Sequence, residues 1–267
     1  MRARKRYGQH FLETAWAAKL VEATGPCPDD RFLEIGPGAG ALTLPLAARV
    51  AHVTAVEVDA EMVRALAPRL PLNVTLIHQD FLAWEAAGVM PPGPLRVAGN
   101  LPYNVASPIL VVLLRRHRRQ GGLVDATLML QREVAERVEA APGSGAYGPL
   151  SLLTRLHADV HRLLTLPPGA FRPPPKVHSA VVRLAFRAPA VSVQDEAVLE
   201  AVIRSVFTQR RKTMGNALRP FASSRGLDAR AALAEARIDG QRRPETLSLA
   251  EFARLADVLS SSARSSV

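Results

Sequence analysis

The segment Gly99-Asn100-Leu101-Pro102-Tyr103-Asn104 follows an apolar run and combines three residue types suited to a single task. The Asn100 side-chain oxygen and a neighbouring backbone carbonyl can accept both N–H bonds of an exocyclic amine. Pro102 stiffens the turn and fixes where the Leu101 carbonyl points, while the flat face of Tyr103 can stack on a base taken out of its helix. An aromatic amino nitrogen is a poor nucleophile, because its lone pair is delocalised into the ring. A pocket that holds both N–H bonds frees that lone pair, so Asn100, Leu101, Pro102 and Tyr103 together fit chemistry at an amine such as adenine N6. The plain alternative is a strand exit in which Asn and Pro only make a turn.

A second constellation lies upstream. Glu34-Ile35-Gly36-Pro37-Gly38-Ala39-Gly40 closes an apolar run and opens a helical stretch, so Gly36 and Gly38 let a ligand approach the backbone beyond a strand's carboxyl end. Glu57 ends the next apolar run about twenty residues on, where a carboxylate can take both hydroxyls of a ribose. Asp80, in Gln79-Asp80-Phe81, is placed to accept from an adenine amine; taken alone it reads equally as a turn residue. The spacing does not name the nucleotide. GxGxG differs from the GxGxxG fingerprint and offers nothing for a pyrophosphate, so S-adenosylmethionine fits better, with NAD left open.

These residues need a scaffold. Strands are expected at residues 31–35, 53–58, 74–78, 95–98 and 126–130, alternating with helices at 41–49, 61–70, 108–116 and 132–140. Such alternation predicts a mostly parallel sheet with helices on both faces. Residues 152–156 read as helix, and 158–166 and 179–186 as closing strands. From residue 188 onward the spacing is helical with Arg-rich faces, which divides the chain into an α/β domain at 1–187 and a small all-helical domain at 188–267. Residues 260–267 are expected to fray. At 267 residues the chain can bury a full core, and its net charge of +10 implies a polyanionic partner, nucleic acid before membrane. A single cysteine, Cys27, excludes an internal disulfide, and the basic residues 1–6 lead into no apolar segment. A cytoplasmic location is expected.

Read in order, Gly8-Gln9-His10-Phe11-Leu12, the glycine loop, Glu57, Asp80-Phe81-Leu82, Asn100-Leu101-Pro102-Tyr103-Asn104, Phe171-Arg172-Pro173-Pro174-Pro175-Lys176-Val177 and Gln209-Arg210-Arg211-Lys212-Thr213 resemble the KsgA family of small-subunit ribosomal RNA adenine dimethyltransferases. The resemblance spans residues 6–259. It implies a Rossmann-like class I methyltransferase domain followed by a helical RNA-binding domain. It also implies S-adenosylmethionine held by His10, Leu12, Gly36, Gly38, Glu57, Asp80, Phe81 and Asn100, and RNA contacted by Arg210, Arg211 and Lys212. The substrate it implies is 16S ribosomal RNA within the pre-30S subunit, and the enzyme is expected to be a monomer that requires no metal. One departure stands out. The first motif more often carries Asn where this chain has His10, and an imidazole there gives cofactor affinity a pH dependence.

Two rivals remain. A methyltransferase of large-subunit RNA shares the glycine loop but usually has Ile and Phe in the Asn-Leu-Pro-Tyr motif. A binding protein that kept the fold and lost the chemistry is the other, and intact Asn100 and Tyr103 argue against it. Elsewhere, His157 and His161 have the i, i+4 spacing of a metal pair but lack a third ligand. The Arg115–Arg119 cluster reads as a solvated helix end as readily as a nucleic-acid contact. Cys27 reads as a bland loop residue. Residues 171–177, with three consecutive prolines, are expected to hold no regular structure and to act as a rigid linker that, by the resemblance, also shapes the substrate side of the pocket.

Overall fold

A computed structural model describes residues 10–91 and 93–264, with side chains through residue 261. The basic residues 1–6 and Gly8 and Gln9 of the first motif lie outside them. The chain divides into two compact units, Met1–Ala135 with Ala158–Arg187, and Glu136–His157 with Ala188–Val267.

In the first unit the elements run β1 (Phe11–Leu12), α1 (Thr14–Thr24), β2 (Arg31–Ile35), α2 (Thr43–Ala47), β3 (His52–Glu57), α3 (Ala60–Leu66), β4 (Val74–His78), α4 (Phe81–Ala86), β5 (Leu95–Asn100), α5 (Ala106–Gln120), β6 (Leu123–Gln131), β7 (Ala158–Leu166), β8 (Phe171–Arg172) and β9 (Ser179–Phe186). The main sheet has the order β4-β3-β2-β5-β6-β9-β7. Its first five strands are parallel, and β9 inserts antiparallel between β6 and β7. The central strands are near-continuous apolar runs because helices cover both faces; Phe32, Leu33, Val53, Ala55, Val97, Ala126 and Leu128 are all buried.

At the amino ends of these strands sits an ion-pair clamp. The Arg96 guanidinium donates to Asp125 at 3.0 and 2.7 Å, to Asp30 at 2.7 Å and to the Gly25 carbonyl at 2.9 Å. Both carboxylates hold the guanidinium charged, against the cost of its partial burial. The clamp ties β5 and β6 to the end of α1, which leaves the carboxyl ends of the strands free to form a crevice.

Several boundaries moved for local reasons. The 61–70 helix ends at Leu66 and passes into a 3-10 turn at Ala67–Arg69, where Pro68 cannot continue the α ladder. Helix α5 starts at Ala106, because Pro108 falls in the first turn, where its missing N–H costs nothing. Gly121, at φ 63°, ends it. The expected linker at 171–177 begins as a strand, with Phe11 paired to Arg172 and Leu12 to Phe171. The prolines come after the two pairing residues, so they do not interrupt the ladder.

The second unit is helical: the latter half of α6 (Arg132–Glu139, which leaves the end of β6 and begins in the first unit), α7 (Pro149–His157), α8 (Glu196–Thr208), α9 (Met214–Ser223), α10 (Ala229–Glu235) and α11 (Leu249–Arg264). Asp195 and Asp228 cap α8 and α10 through their side chains. Its core joins Tyr147, Leu152 and Leu156 to Leu199, Ile203, Leu218, Phe252 and Leu255. The Tyr147 hydroxyl donates to the Leu247 carbonyl at 3.0 Å. A single cut between 187 and 188 is therefore incomplete, since residues 136–157 belong to the helical core. An amphipathic helix announces that one face is buried, not which core it fills. The tail also differs from expectation, because α11 continues through Arg264.

Candidate active site

The crevice at the carboxyl ends of β2, β3 and β5 opens into a cleft with about 1170 Å³ of atom-free space, open solvent at its mouth included, lined by residues of the first unit from His10 to Ile109. Beyond Ile35 the chain turns through Gly36, Gly38 and Gly40, at φ 72°, 54° and 87°. At Gly40 a Cβ would sit 2.5 Å from the Leu66 Cδ1, so a side chain there would collide with α3. Gly36 and Gly38 instead face the cleft.

Glu57 closes β3 and is buried beside this loop. Its Oε2 accepts the Gly38 N–H at 2.9 Å and its Oε1 the Asp59 N–H at 2.8 Å. Each oxygen thus already accepts one backbone hydrogen bond. A carboxylate oxygen has two acceptor sites, so one on each remains, now with a fixed direction. Burial raises the Glu57 pKa, and the two amide donors restrain that rise. Asp80 caps α4, its Oδ1 accepting from Leu82 N at 2.8 Å and Ala83 N at 3.2 Å. The turn role and the cleft-lining role coincide in one residue. Phe81 and Leu12 are buried in the cleft wall.

Glu34, at the head of the glycine motif, lines the same cleft and is 1% exposed. Its Oε2 has no hydrogen-bond partner among the described residues. Burial, with a smaller push from the Glu57 charge, raises its pKa to about 7, against the pull of the Thr43 hydroxyl. A carboxyl whose folded pKa lies above its unfolded value of 4.5 favours folding fully below 4.5. That contribution is lost as pH rises through 7, at a cost on the order of 3 kcal/mol. Glu34→Gln is neutral at every pH, so it should raise the thermal midpoint at pH 8 and leave it nearly unchanged at pH 4. Equal shifts at both values, measured by calorimetry, would contradict the buried-acid assignment. Val58 and Gln79 also line the cleft unanticipated. Each adjoins a named residue at a strand end, and the rule that ligands sit beyond strand carboxyl ends was enough to find them.

The Asn-Leu-Pro-Tyr turn forms the other end of the cleft. Asn100 ends β5, and its Nδ2 donates to the His10 carbonyl at 2.9 Å. The bond commits the donor end of the amide and leaves Oδ1 as the acceptor end. Leu101 is buried and its N–H donates to the Met129 carbonyl at 3.2 Å, which ties the turn to β6. Tyr103 shares a hydrogen bond with the Ser179 hydroxyl at 2.9 Å, and burial raises its phenol pKa. His10 stacks on Tyr103 with centroids 5.3 Å apart and planes 29° from parallel. Its Nδ1 lies 2.8 Å from the Pro173 carbonyl, an acceptor only, so Nδ1 carries the proton. The cleft therefore gathers His10, Leu12, Gly36, Gly38, Glu57, Asp80, Phe81, Asn100, Leu101, Pro102 and Tyr103.

The basic segment lies in the helical unit, where its three residues differ. Arg210 donates to the Ser144 carbonyl at 3.2 Å and approaches Glu245 at 3.9 Å, a structural engagement. Arg211 and Lys212 are exposed. His157 ends α7 and bonds Glu196 at 2.9 Å, whereas His161 lies in β7, so the two do not share a helical face. Cys27 is exposed in its loop. Within the Arg115–Arg119 cluster Arg116 is buried and donates to the Pro91 carbonyl. Among the described residues no helix is long and apolar enough to cross a membrane.

Comparison with known proteins agrees with this architecture. Residues 1–260 match the family described as ribosomal RNA adenine dimethylase. The chain is 43% identical over 267 residues to the ribosomal RNA small subunit methyltransferase A of Pseudomonas fluorescens, covering 97% of this chain and 94% of that relative. A dimethyladenosine transferase from Plasmodium falciparum shares the fold, with a TM-score of 0.75 at 22% identity over 92% of this chain and 96% of that one. The 23S rRNA methyltransferase ErmE is 27% identical, with a TM-score of 0.67 over 94% and 99% of the two chains.

Proposed function

Because this chain belongs to the ribosomal RNA adenine dimethylase family, we propose that it dimethylates N6 of two adjacent adenosines in the 3′-terminal hairpin loop of 16S ribosomal RNA. S-adenosylmethionine is the methyl donor, and the substrate is the pre-30S subunit in the cytoplasm, met by a monomeric enzyme. The observation that carries the proposal is the single cleft that joins the glycine loop and Glu57 at one end to Asn100 and Tyr103 at the other. Donor and acceptor sites in one cleft suit direct transfer, in which orientation is the principal catalytic contribution.

The residues present fit the donor. The remaining acceptor sites of Glu57 suit ribose hydroxyls, the second oxygen of Asp80 suits an adenine amine, and Val58 and Phe81 supply apolar wall for a ring. Gly36 and Gly38 keep side chains out of the way, and His10 and Leu12 line the approach. Bound there, S-adenosylmethionine supplies a methyl group activated by its sulfonium. At the other end the Asn100 oxygen and the Leu101 carbonyl would hold the amine, Pro102 keeping the turn rigid. After the first transfer the remaining N–H must rotate toward these acceptors.

Identity to the small-subunit relative is 43% against 27% to the 23S enzyme, and the Leu-Pro-Tyr form of the motif points the same way. Labelled S-adenosylmethionine with unmethylated small subunits, or separately with large subunits, tests the proposal by nucleoside mass spectrometry. Dimethyladenosine confined to the small subunit is expected. Labelling only of the large subunit, or monomethyladenosine at completion, would overturn it, and no incorporation at all would favour a binding protein.

Hairpin-loop bases are already partly unstacked, and the helical unit is the proposed grip on the adjoining stem. Replacing both Arg211 and Lys212 by Ala should weaken RNA binding and lower the slope of log affinity against log salt by about 1.5, since two fewer phosphates are neutralised. Titrations over a range of salt measure this. A slope equal to the parent's would make the segment structural.

A further inference from the structure

Three carboxyl groups line the cleft, Glu34, Glu57 and Asp80, and no Lys or Arg stands among its described lining residues. Glu57 and Asp80 each accept backbone amides. Glu34 differs from both, because it is 1% exposed and its Oε2 has no hydrogen-bond partner among the described residues. Resting on the methyl-transfer function proposed above, we infer that Glu34 is a specificity-determining residue that separates the cationic methyl donor from the product lacking the sulfonium charge. Its carboxyl ionises when the sulfonium enters the cleft and takes a proton back from solvent once transfer has left that sulfur neutral.

The surroundings of the side chain carry the case. Opposite Glu34 in the sheet stand Ala55 on β3 and Ala98 on β5, which bring no charge. The Thr43 hydroxyl of α2 adjoins it. The ionisable groups on the other elements around the cleft are Glu57 at the end of β3, Asp59 and Asp80 capping α3 and α4, and His10 ahead of β1. An ionised Glu34 thus adds to a carboxylate wall with no guanidinium or ammonium to offset it, and burial with the Glu57 charge raises its pKa to about 7. A ligand cation supplies the offset. Donor and product share their amino-acid and adenosine parts, so the sulfonium is the charge in which they differ. On transfer the S–CH3 bond breaks with its electrons left on sulfur, while N6 of the base gains the methyl group and sheds a proton to solvent. The carboxylate that favoured the donor is then again a buried charge without a counter-charge, and it gains nothing from the product.

Binding calorimetry without RNA, on the parent and on Glu34→Gln, tests this with S-adenosylmethionine and S-adenosylhomocysteine as ligands. Relative to Glu34→Gln, the parent's affinity for S-adenosylmethionine should rise about fivefold or more between pH 5.5 and 8, since each pKa unit by which the cation lowers Glu34 is a factor of about ten at high pH. Its affinity for S-adenosylhomocysteine should stay within about twofold. The ligand's amino group and His10 titrate in both proteins, so the comparison removes them. At pH 7, titrations in two buffers of different ionisation enthalpy should show the parent releasing about 0.4 of a proton more per donor bound than the variant, the amount expected when a group of pKa about 7 is lowered by about one unit. Equal proton release by the two proteins, or donor and product affinities that follow pH alike, would overturn the inference. Should Glu34→Gln not fold, the donor and product titrations of the parent decide, because both ligands meet the same His10. A parent that binds neither ligand would instead sink the underlying function, a distinct result.

Discussion

Replacing Asn100 by Ala is expected to slow methyl transfer by at least about 100-fold in single-turnover experiments, the scale seen when one preorganised polar group at a reacting centre is removed. RNA and S-adenosylmethionine should still bind. Asn100 is fixed through its Nδ2 bond to the His10 carbonyl, which makes its oxygen a pre-aimed acceptor for the target amine. Without that acceptor the amine is free to keep its lone pair delocalised into the ring, where it is a poor nucleophile. Asn100→Ala also removes the tether to His10, so a second variant is needed. Asn100→Asp retains acceptor oxygens, loses the donor and adds a negative charge, and it should recover part of the rate if orientation of the amine is the main effect. Near-parental rates for Asn100→Ala would show that another group holds the amine.

Glu57→Ala is expected to weaken S-adenosylmethionine binding by about tenfold or more, on the basis of 1.5–3 kcal/mol for hydrogen bonds to a charged group. Two losses combine. Ribose hydroxyls lose their acceptors, and the Gly38 and Asp59 amides lose the carboxylate that fixes the loop. Glu57→Gln should fall between, since its amide retains one oxygen but turns an NH2 toward a backbone N–H. Calorimetry in the absence of RNA distinguishes these variants, and unchanged affinity in Glu57→Ala would remove Glu57 from the cofactor site.

How much of this was legible depended on whether a residue's neighbours were local. Glu57, Asp80 and Asn100 were found because strand ends are visible in sequence and parallel sheets bind ligands there. The glycine loop was legible because Gly36 and Gly38 adopt a backbone that other residues resist. What stayed hidden came from distant partners. That Glu57 already accepts two backbone amides depends on where Gly38 and Asp59 fall in space. The two-residue β1–β8 pairing is too short to leave a periodic pattern, and it joins residues about 160 apart in the chain. Arg210 and Arg211 are adjacent and identical in type, yet Arg210 turns toward Ser144 and Glu245 while Arg211 is exposed. Charge count carries no information about that choice.

The division of the helical core between two stretches of chain has a consequence for biosynthesis. Tyr147, Leu152 and Leu156 leave the ribosome some forty to fifty residues before Leu199 and about a hundred before Phe252, the residues that share their core. Strands β7 and β9 follow them and can complete the sheet meanwhile. During that interval the apolar face of α7 waits for its partners, a transient of the kind that recruits chaperones. Substitutions that enlarge this face would therefore lower the yield of folded protein before they altered the stability of the finished molecule.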